Sequence, residues 1–346
     1  MNKFSDSEKK YWNVIKGISI SSIVLGHTCY FMSAYVYLYH LVIFFFITGY
    51  MFNADKYCKS PYAYFSVRFK GVYTKYVLYG SFFVLIHNIL LKIGLILNQA
   101  QYGIIDVLCQ LTNTLIFNCP ETLSGAMWFI PVWLLSCNIF GISYYLSSKL
   151  SKVSNHFANK TDLIFLVINF LFGIVGYKFC KLNINFLFHI QTSLLVLPIM
   201  ALGYFLSNKV SYNNLQKNLK FPFAFFIAIV LFLCVKKLNW RIELSQNITM
   251  NFLPFYFASM GGIYVCLYVG KYINKHKLIS ISYETIGIYS FDIMALHFLM
   301  VKIIDFIYAM FIKQLDPNIY GKFVYAFPKL WFIYFLSTFF IGYIYI

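Results

Sequence analysis

Charge is scarce in this chain. Only 11% of its 346 residues are Asp, Glu, Lys or Arg, whereas a soluble domain carries about 25%. Acid is scarcer still: 11 acidic residues face 28 basic ones, for a net charge of +17. None of the eight cysteines forms a C-x-x-C pair, so neither a thiolate metal site nor a disulfide framework is expected. A bridge between Cys109 and Cys119 is the one pairing that an external loop would allow. No long polar linker and no repeat between the two halves interrupts the chain. No small-x-small cleavage site follows the first apolar run, so that run reads as a membrane helix and not a removed signal peptide. These absences exclude a soluble enzyme, a disordered chain and a secreted disulfide module. Nucleic acid is not an expected partner, because no soluble fold is present to carry the basic residues.

Apolar sequence takes the place of what is missing. The chain is 60% hydrophobic, with 39 Phe and 30 Tyr, and its mean hydropathy is +0.70. Runs long enough to cross a bilayer recur from end to end. The expected fold is therefore all-α: a polytopic helix bundle of about ten transmembrane helices, forming one domain over residues 1–346 with no soluble appendage. The expected centres are Ile20, Phe45, Leu78, Leu135, Phe170, Leu195, Ile229, Met260, Ala295 and Ser337. The segment 104–117 is apolar but short, and fits a re-entrant or interfacial piece. Residues 221–235 are also short for a crossing. With the N-terminus in the cytoplasm, most Lys and Arg fall on the inner side, as the positive-inside rule requires. Both termini are then cytoplasmic. Lys56, Lys59 and Lys75 read as ordinary inner-loop cations.

An ionisable residue inside a span is a functional candidate by default. Lys16 and His27 share the first helix. Eleven positions of helix return to within about 20° of the same face and rise about 16 Å. Lys16 thus belongs at the inner boundary and His27 at mid-depth or beyond. Gly26 allows a close neighbour there. His40 begins the antiparallel second span at a similar depth, so the two histidines make a small polar site. Asp292 and His297 lie about 140° apart on a helix and do not share a face. Asp292 is expected against the first helices and His297 as a structural hydrogen bonder. His87, His156, His189 and His276 receive no role. Glu121 is an external acid able to orient a histidine or bond a sugar. Trp128 is the aromatic residue singled out for substrate contact.

These residues carry a resemblance. The run Lys16-Gly-Ile-Ser-Ile-Ser-Ser-Ile-Val-Leu-Gly-His27 resembles the basic residue, ten residues and His of the acyltransferase-3 family of membrane O-acyltransferases, especially its fucose 4-O-acetylase-like branch. The family usually has Arg where Lys16 stands. His40-Leu-Val-Ile-Phe-Phe-Phe-Ile-Thr-Gly-Tyr50 is similar to its His-x-Pro-x-Phe-Phe-x-x-Ser-Gly-Tyr, with Val42 and Thr48 replacing Pro and Ser. Phe65-Ser-Val-Arg68-Phe-Lys70 resembles a basic motif that opens its third helix, although Gly71 stands where a second Arg is common. Gly125-Ala-Met-Trp128-Phe129-Ile-Pro and Ile286-Gly-Ile-Tyr-Ser290 followed by His297 complete the set. The matches run in family order from about residue 12 to 300.

The resemblance implies transfer of an acyl group, usually acetyl, from cytoplasmic acetyl-CoA to a hydroxyl of a cell-envelope polysaccharide, lipopolysaccharide or lipid-linked glycan in a bacterial inner membrane. Lys16, Arg68 and Lys70 would bind the CoA phosphates, since Lys and Arg pair strongly with phosphate. His27 would act as general base or as transient acyl carrier. His40 and Glu121 are its candidate partners, and Trp128 would contact the sugar. No metal is expected. A transporter or flippase of a polar lipid or sugar is the competing reading, since short spans also occur in such proteins.

Overall fold

Ser5 opens the first helix by accepting the Glu8 amide at 3.2 Å, and the helix then runs unbroken from Asp6 to His27 (α1). The computed structural model describes residues 4–28, 31–57, 59–97, 99–118, 121–153, 160–313 and 327–344. Cys119, half of the expected Cys109 bridge, lies outside them, as does His156. Among the described residues the chain is helical, with one isolated β-bridge between Glu243 and Ile248.

Helices follow one another with short connections: α2 (Ser33–Val36), α3 (Val42–Tyr50), α4 (Ala54–Tyr57), α5 (Pro61–Lys92), α6 (Ile104–Leu115), α7 (Phe129–Val153), α8 (Thr161–Lys181), α9 (Ile190–Leu195) and α10 (Leu197–Lys209). The remainder are α11 (Tyr212–Asn218), α12 (Phe221–Leu238), α13 (Phe252–Ile273), α14 (Lys277–Ile288), α15 (Ser290–Ile307) and α16 (Trp331–Ile344). Every expected centre from Ile20 to Ser337 falls inside one of these helices. Six described helical stretches are long and apolar enough to cross a membrane, and a bent pair, Leu187–Leu195 with Leu197–Lys209 at 48°, makes up to seven. The protein is thus a helical membrane bundle. The shortfall from ten has a physical origin: Asp6, Glu8, Lys9, Lys10 and Lys16 dilute the hydropathy of α1, while α3 and α16 have only 9 and 14 residues.

The short apolar segment at 104–117 forms a helix, α6, beside α5. Asn88 of α5 exchanges two 2.8 Å hydrogen bonds with the Tyr102 backbone just before α6. Tyr73 donates to the Leu115 carbonyl at its end, at 3.1 Å. Residues 88 and 73 are about 22 Å apart along a helix, so α6 descends antiparallel to α5. Phe117 then reverses the chain with φ 62°, its ring on Tyr76. By Glu121 the chain is back at His87, 3.0 Å away.

Close crossings hold α1 at the centre. Gly17 and Gly287 let α1 and α14 touch backbone to backbone; a Cβ at Gly17 would lie 2.1 Å from the Tyr283 carbonyl oxygen. Tyr11 ties α1 to α13 by donating to the Leu267 carbonyl at 2.7 Å. Tyr50, ending α3, donates to Glu8 at 2.9 Å. The start of α1, the end of α3 and the start of α5 thus share one end of the bundle, called the basic end below.

Candidate functional site: two cavities on one face of the first helix

Lys16, Ile20, Ile23 and His27 recur at intervals of four, three and four residues, which puts them on one face of α1. That face looks into two cavities. The first, of about 560 Å³, lies toward the basic end and is lined by Lys9, Trp12, Asn13, Lys16, Ile20, Ile23, Arg68, Trp133, Ser290 and mostly apolar neighbours. The second, of about 40 Å³, is lined by Ile23, His27, Tyr37, His40, Leu41, Ala126, Trp128, Phe129, Glu243, Ser245 and Met294. Ile23, Phe129 and Met294 belong to both linings. These three apolar side chains form the wall between the cavities.

The larger cavity is cationic and contains no carboxylate in its lining. Lys9 is paired with Asp6 at 2.9 Å. Lys16 donates only to the neutral Asn13 amide oxygen, at 2.8 Å. Arg68 lies over the Tyr64 and Trp133 rings, 5.2 and 5.9 Å from their centroids. Its Nε has no hydrogen-bond partner among the described residues. Trp133 is held in place by donating to Thr48 at 2.8 Å, so the Thr of the second-span motif supports the Arg platform. Lys70 is exposed and does not line the cavity. Its place on α5, two positions beyond Arg68, turns it about 200° away. Lys9 is the cation that sequence reading missed.

In the smaller cavity His27 Nδ1 lies 3.3 Å from the Tyr37 hydroxyl. Gly26 makes room for this contact, because a Cβ there would sit 2.7 Å from the Tyr37 ring; the close neighbour expected at Gly26 is a side chain. His40 is buried at 3% exposure and lines the same cavity, but its Nδ1 donates back to the Val36 carbonyl at 3.0 Å, so its tautomer is fixed by the backbone at the end of α2. Ser19 donates to the His40 carbonyl at 2.5 Å and anchors the second histidine to α1. Trp128 also lines the cavity, its ring 5.2 Å from His189.

His297 is closer to His27 than the sequence indicated. Its Nδ1 does bond its own helix, at the Met294 carbonyl 2.8 Å away. Yet its ring centroid lies 5.5 Å from that of His27, and its Nε2 is buried without a partner. Asp292, on another face of α15, meets α5 rather than the first helices. Its carboxylate accepts from Lys75 at 2.8 and 3.0 Å and from Tyr79 at 2.8 Å. Lys75 is therefore no loop cation but half of an ion pair between helices.

Glu121 is not brought to His27. It bonds His87 at 3.0 Å, and His87 Nε2 in turn donates to the Ala100 carbonyl at 3.1 Å. Tyr102 stacks on the His87 ring at 3.7 Å. This buried cluster fastens both limbs of the α6 excursion to the end of α5. The acid that does reach the His27 cavity is Glu243, from the connection between α12 and α13. Burial raises its carboxyl pKa, offset in part by the Ser245 hydroxyl, the Arg241 charge and the Tyr37 hydroxyl. Two hundred residues of sequence separation hid it; only its acidity in an otherwise acid-poor chain marked it.

No protein-family model, no curated protein and no solved structure matches this chain.

Proposed function

We propose that the protein is a membrane O-acyltransferase that takes an acetyl group from CoA at the basic end and passes it to a hydroxyl of a cell-envelope glycan at the His27 cavity. One observation carries this reading. A large, cation-lined cavity with no carboxylate in its lining meets a small histidine-lined one end to end, with three apolar side chains between them. Uncompensated Lys16 and Arg68 call for a polyanion, and CoA is a polyanion with a long thin arm. The phosphates would sit on Lys16, Arg68 and Lys9, and the arm would reach along the Ile20–Ile23 face to deliver the thioester at the wall.

His27 is the catalytic residue of this proposal. Its ring nitrogen removes the acceptor proton as the hydroxyl oxygen attacks the thioester carbonyl. The C–S bond then breaks, and the CoA sulfur takes that proton as it leaves. A free volume of about 40 Å³, room for a few waters at the ~10–15 Å³ that each needs, suits acetyl rather than a longer acyl group. Ten crossings, a cytoplasmic basic end with both termini and a bacterial inner membrane complete the proposal, supported by the bias of Lys and Arg.

The test is NMR of O-acetyl groups on envelope glycans from cells lacking the protein, complemented with wild type or His27→Ala at equal membrane levels. The expected result is an O-acetyl resonance restored by wild type alone. Equal restoration by His27→Ala overturns the mechanism.

A further inference from the structure

The outer surface of the bundle carries another cavity, with no residue of α1 in its lining. It is a groove of about 420 Å³ between α8, α10 and α13, lined by Val167, Phe170, Pro198, Leu202, Phe252, Tyr256 and further apolar side chains. Val167, Phe170 and Leu202 are exposed, so the groove opens away from the bundle. It lies at the 48° bend between α9 and α10. Such a bend frees backbone carbonyls: Pro198 has no N–H, and the Ile199 N–H turns to the Val196 carbonyl at 3.1 Å. The Leu195 carbonyl left over accepts from the Tyr256 hydroxyl at 2.7 Å. The one polar side-chain group of the lining is thereby spent on the backbone. The groove is left apolar, as a surface against hydrocarbon must be.

Along α8 the groove leads to cations. Asp162, at the start of α8, accepts from Tyr204 of α10 at 3.2 Å. Gly203 of α10 packs on the backbone of Phe46 and Tyr50 in α3, so the start of α8 belongs to the basic end. The last turn of α8, with Lys178 and Lys181, is about 30 Å away at the opposite end. The positive-inside rule expects few cations there. Val167 and Lys178 are eleven positions apart, as are Phe170 and Lys181. Each lysine therefore stands on the groove's face of α8, about 16 Å beyond it. Rings bridge the interval. Phe252 lies 5.5 Å from Phe170 and 5.4 Å from Tyr177, and Lys181 Nζ is 5.8 Å from the Tyr177 ring. Lys181 donates to the Thr249 carbonyl at 3.2 Å, which holds it at this rim. Neither lysine pairs with an acid among the described residues.

An apolar trough with two cations at one end, aligned on one helix face, fits an amphiphile with a single charged head. An apolar helix of another protein would have no use for the cations. We propose that the groove binds one anionic phospholipid from the leaflet opposite the basic end. An acyl chain lies along Leu202, Phe170 and Phe252, and the phosphate sits on Lys178 and Lys181. The site stands whether or not the protein transfers acyl groups.

The test uses full-length protein in phosphatidylcholine vesicles that carry a trace of one photoreactive lipid. That lipid is phosphatidylglycerol or phosphatidylcholine with a diazirine in one acyl chain, and crosslinks are mapped by peptide mass spectrometry. Residues 166–171 and 252–256 are expected to be labelled about 25-fold more by the phosphatidylglycerol probe, from roughly fivefold for each lysine. Leu78 and Leu85, exposed on α5, should be labelled equally by both. Lys178→Gln with Lys181→Gln should abolish the preference. Val167→Trp, which fills the groove from its exposed rim, should lower labelling at 252–256 with the lysines intact. Equal labelling of the wild-type groove by both probes, or a preference that survives the double lysine variant, overturns the proposal. So does a groove that neither probe reaches while Leu78 and Leu85 are labelled, the result expected if a second copy of the chain covers it.

Discussion

Lys16 and Arg68 have different neighbours and should fail differently. Each offers a charged hydrogen bond to phosphate, an interaction of about 1.5–3 kcal/mol. Lys16→Met and Arg68→Gln should therefore each weaken binding of free CoA roughly 10- to 100-fold by isothermal titration. Arg68→Lys should recover little, because the Tyr64 and Trp133 rings suit a flat guanidinium and not an ammonium. Lys70→Ala, away from the cavity, should bind as wild type does. If all four variants bind CoA alike, the cationic cavity is not its site. At this scale the sequence was informative wherever chemistry lay along one helix. The eleven-residue interval placed Lys16 and His27 on one face without knowledge of any other element. Tyr37, Glu243 and His297 were illegible for the opposite reason: each joins His27 through a turn, a loop or a distant helix, and no periodicity links them.

Between elements, the pair of Lys75 and Asp292 joins α5 to α15 with the carboxylate buried and the lysine half exposed. Removing one member of such a pair strands the other's charge, whereas replacing both with apolar residues often costs little. Lys75→Met alone, which strands the buried Asp292 carboxylate, should lower the melting temperature in detergent more than Lys75→Met with Asp292→Leu together. A double variant less stable than Lys75→Met would mean the two charges contribute separately. The pair was missed because residues around 75 read as the end of a basic loop, while Ser60 and Pro61 start the helix well before them. Ser60 caps the Ala63 amide at 3.2 Å, and α5 then runs 32 residues to Lys92. The α6 excursion was legible as a short apolar run, since 12 helical residues span only about 18 Å. What fastens it, His87 with Glu121, was not, because the two residues face each other only after the chain has turned back at Phe117.

For the whole molecule, the proposed transfer would make the wall of Ile23, Phe129 and Met294 the part that sets what can pass and how far. Met294→Ala and Phe129→Ala remove bulk from it and should admit longer acyl groups. Expressed in place of the wild type in cells fed propionate, they should raise the propionyl-to-acetyl ratio on the envelope glycans by about tenfold, the scale of one methylene in a fitted pocket. An unchanged ratio would show that acyl length is selected elsewhere. The bundle's overall character was readable from composition because a bilayer imposes it on every span; the wall was not, since its three members come from three separate helices.

The same wall has an electrical consequence. Where polar cavities enter a bilayer from both faces, the field no longer falls evenly over the full thickness but is concentrated on the dry layer that remains. Moving one elementary charge through the whole of a 100 mV drop involves about 2.3 kcal/mol. In the proposed reaction an acetyl group crosses that layer in exchange for the acceptor proton, which leaves on the CoA sulfur, so no net charge moves across it and the CoA phosphates stay on their own side. Under the proposed acyl transfer, the division into two cavities would thus let acyl groups cross an energised membrane while leaving its voltage intact.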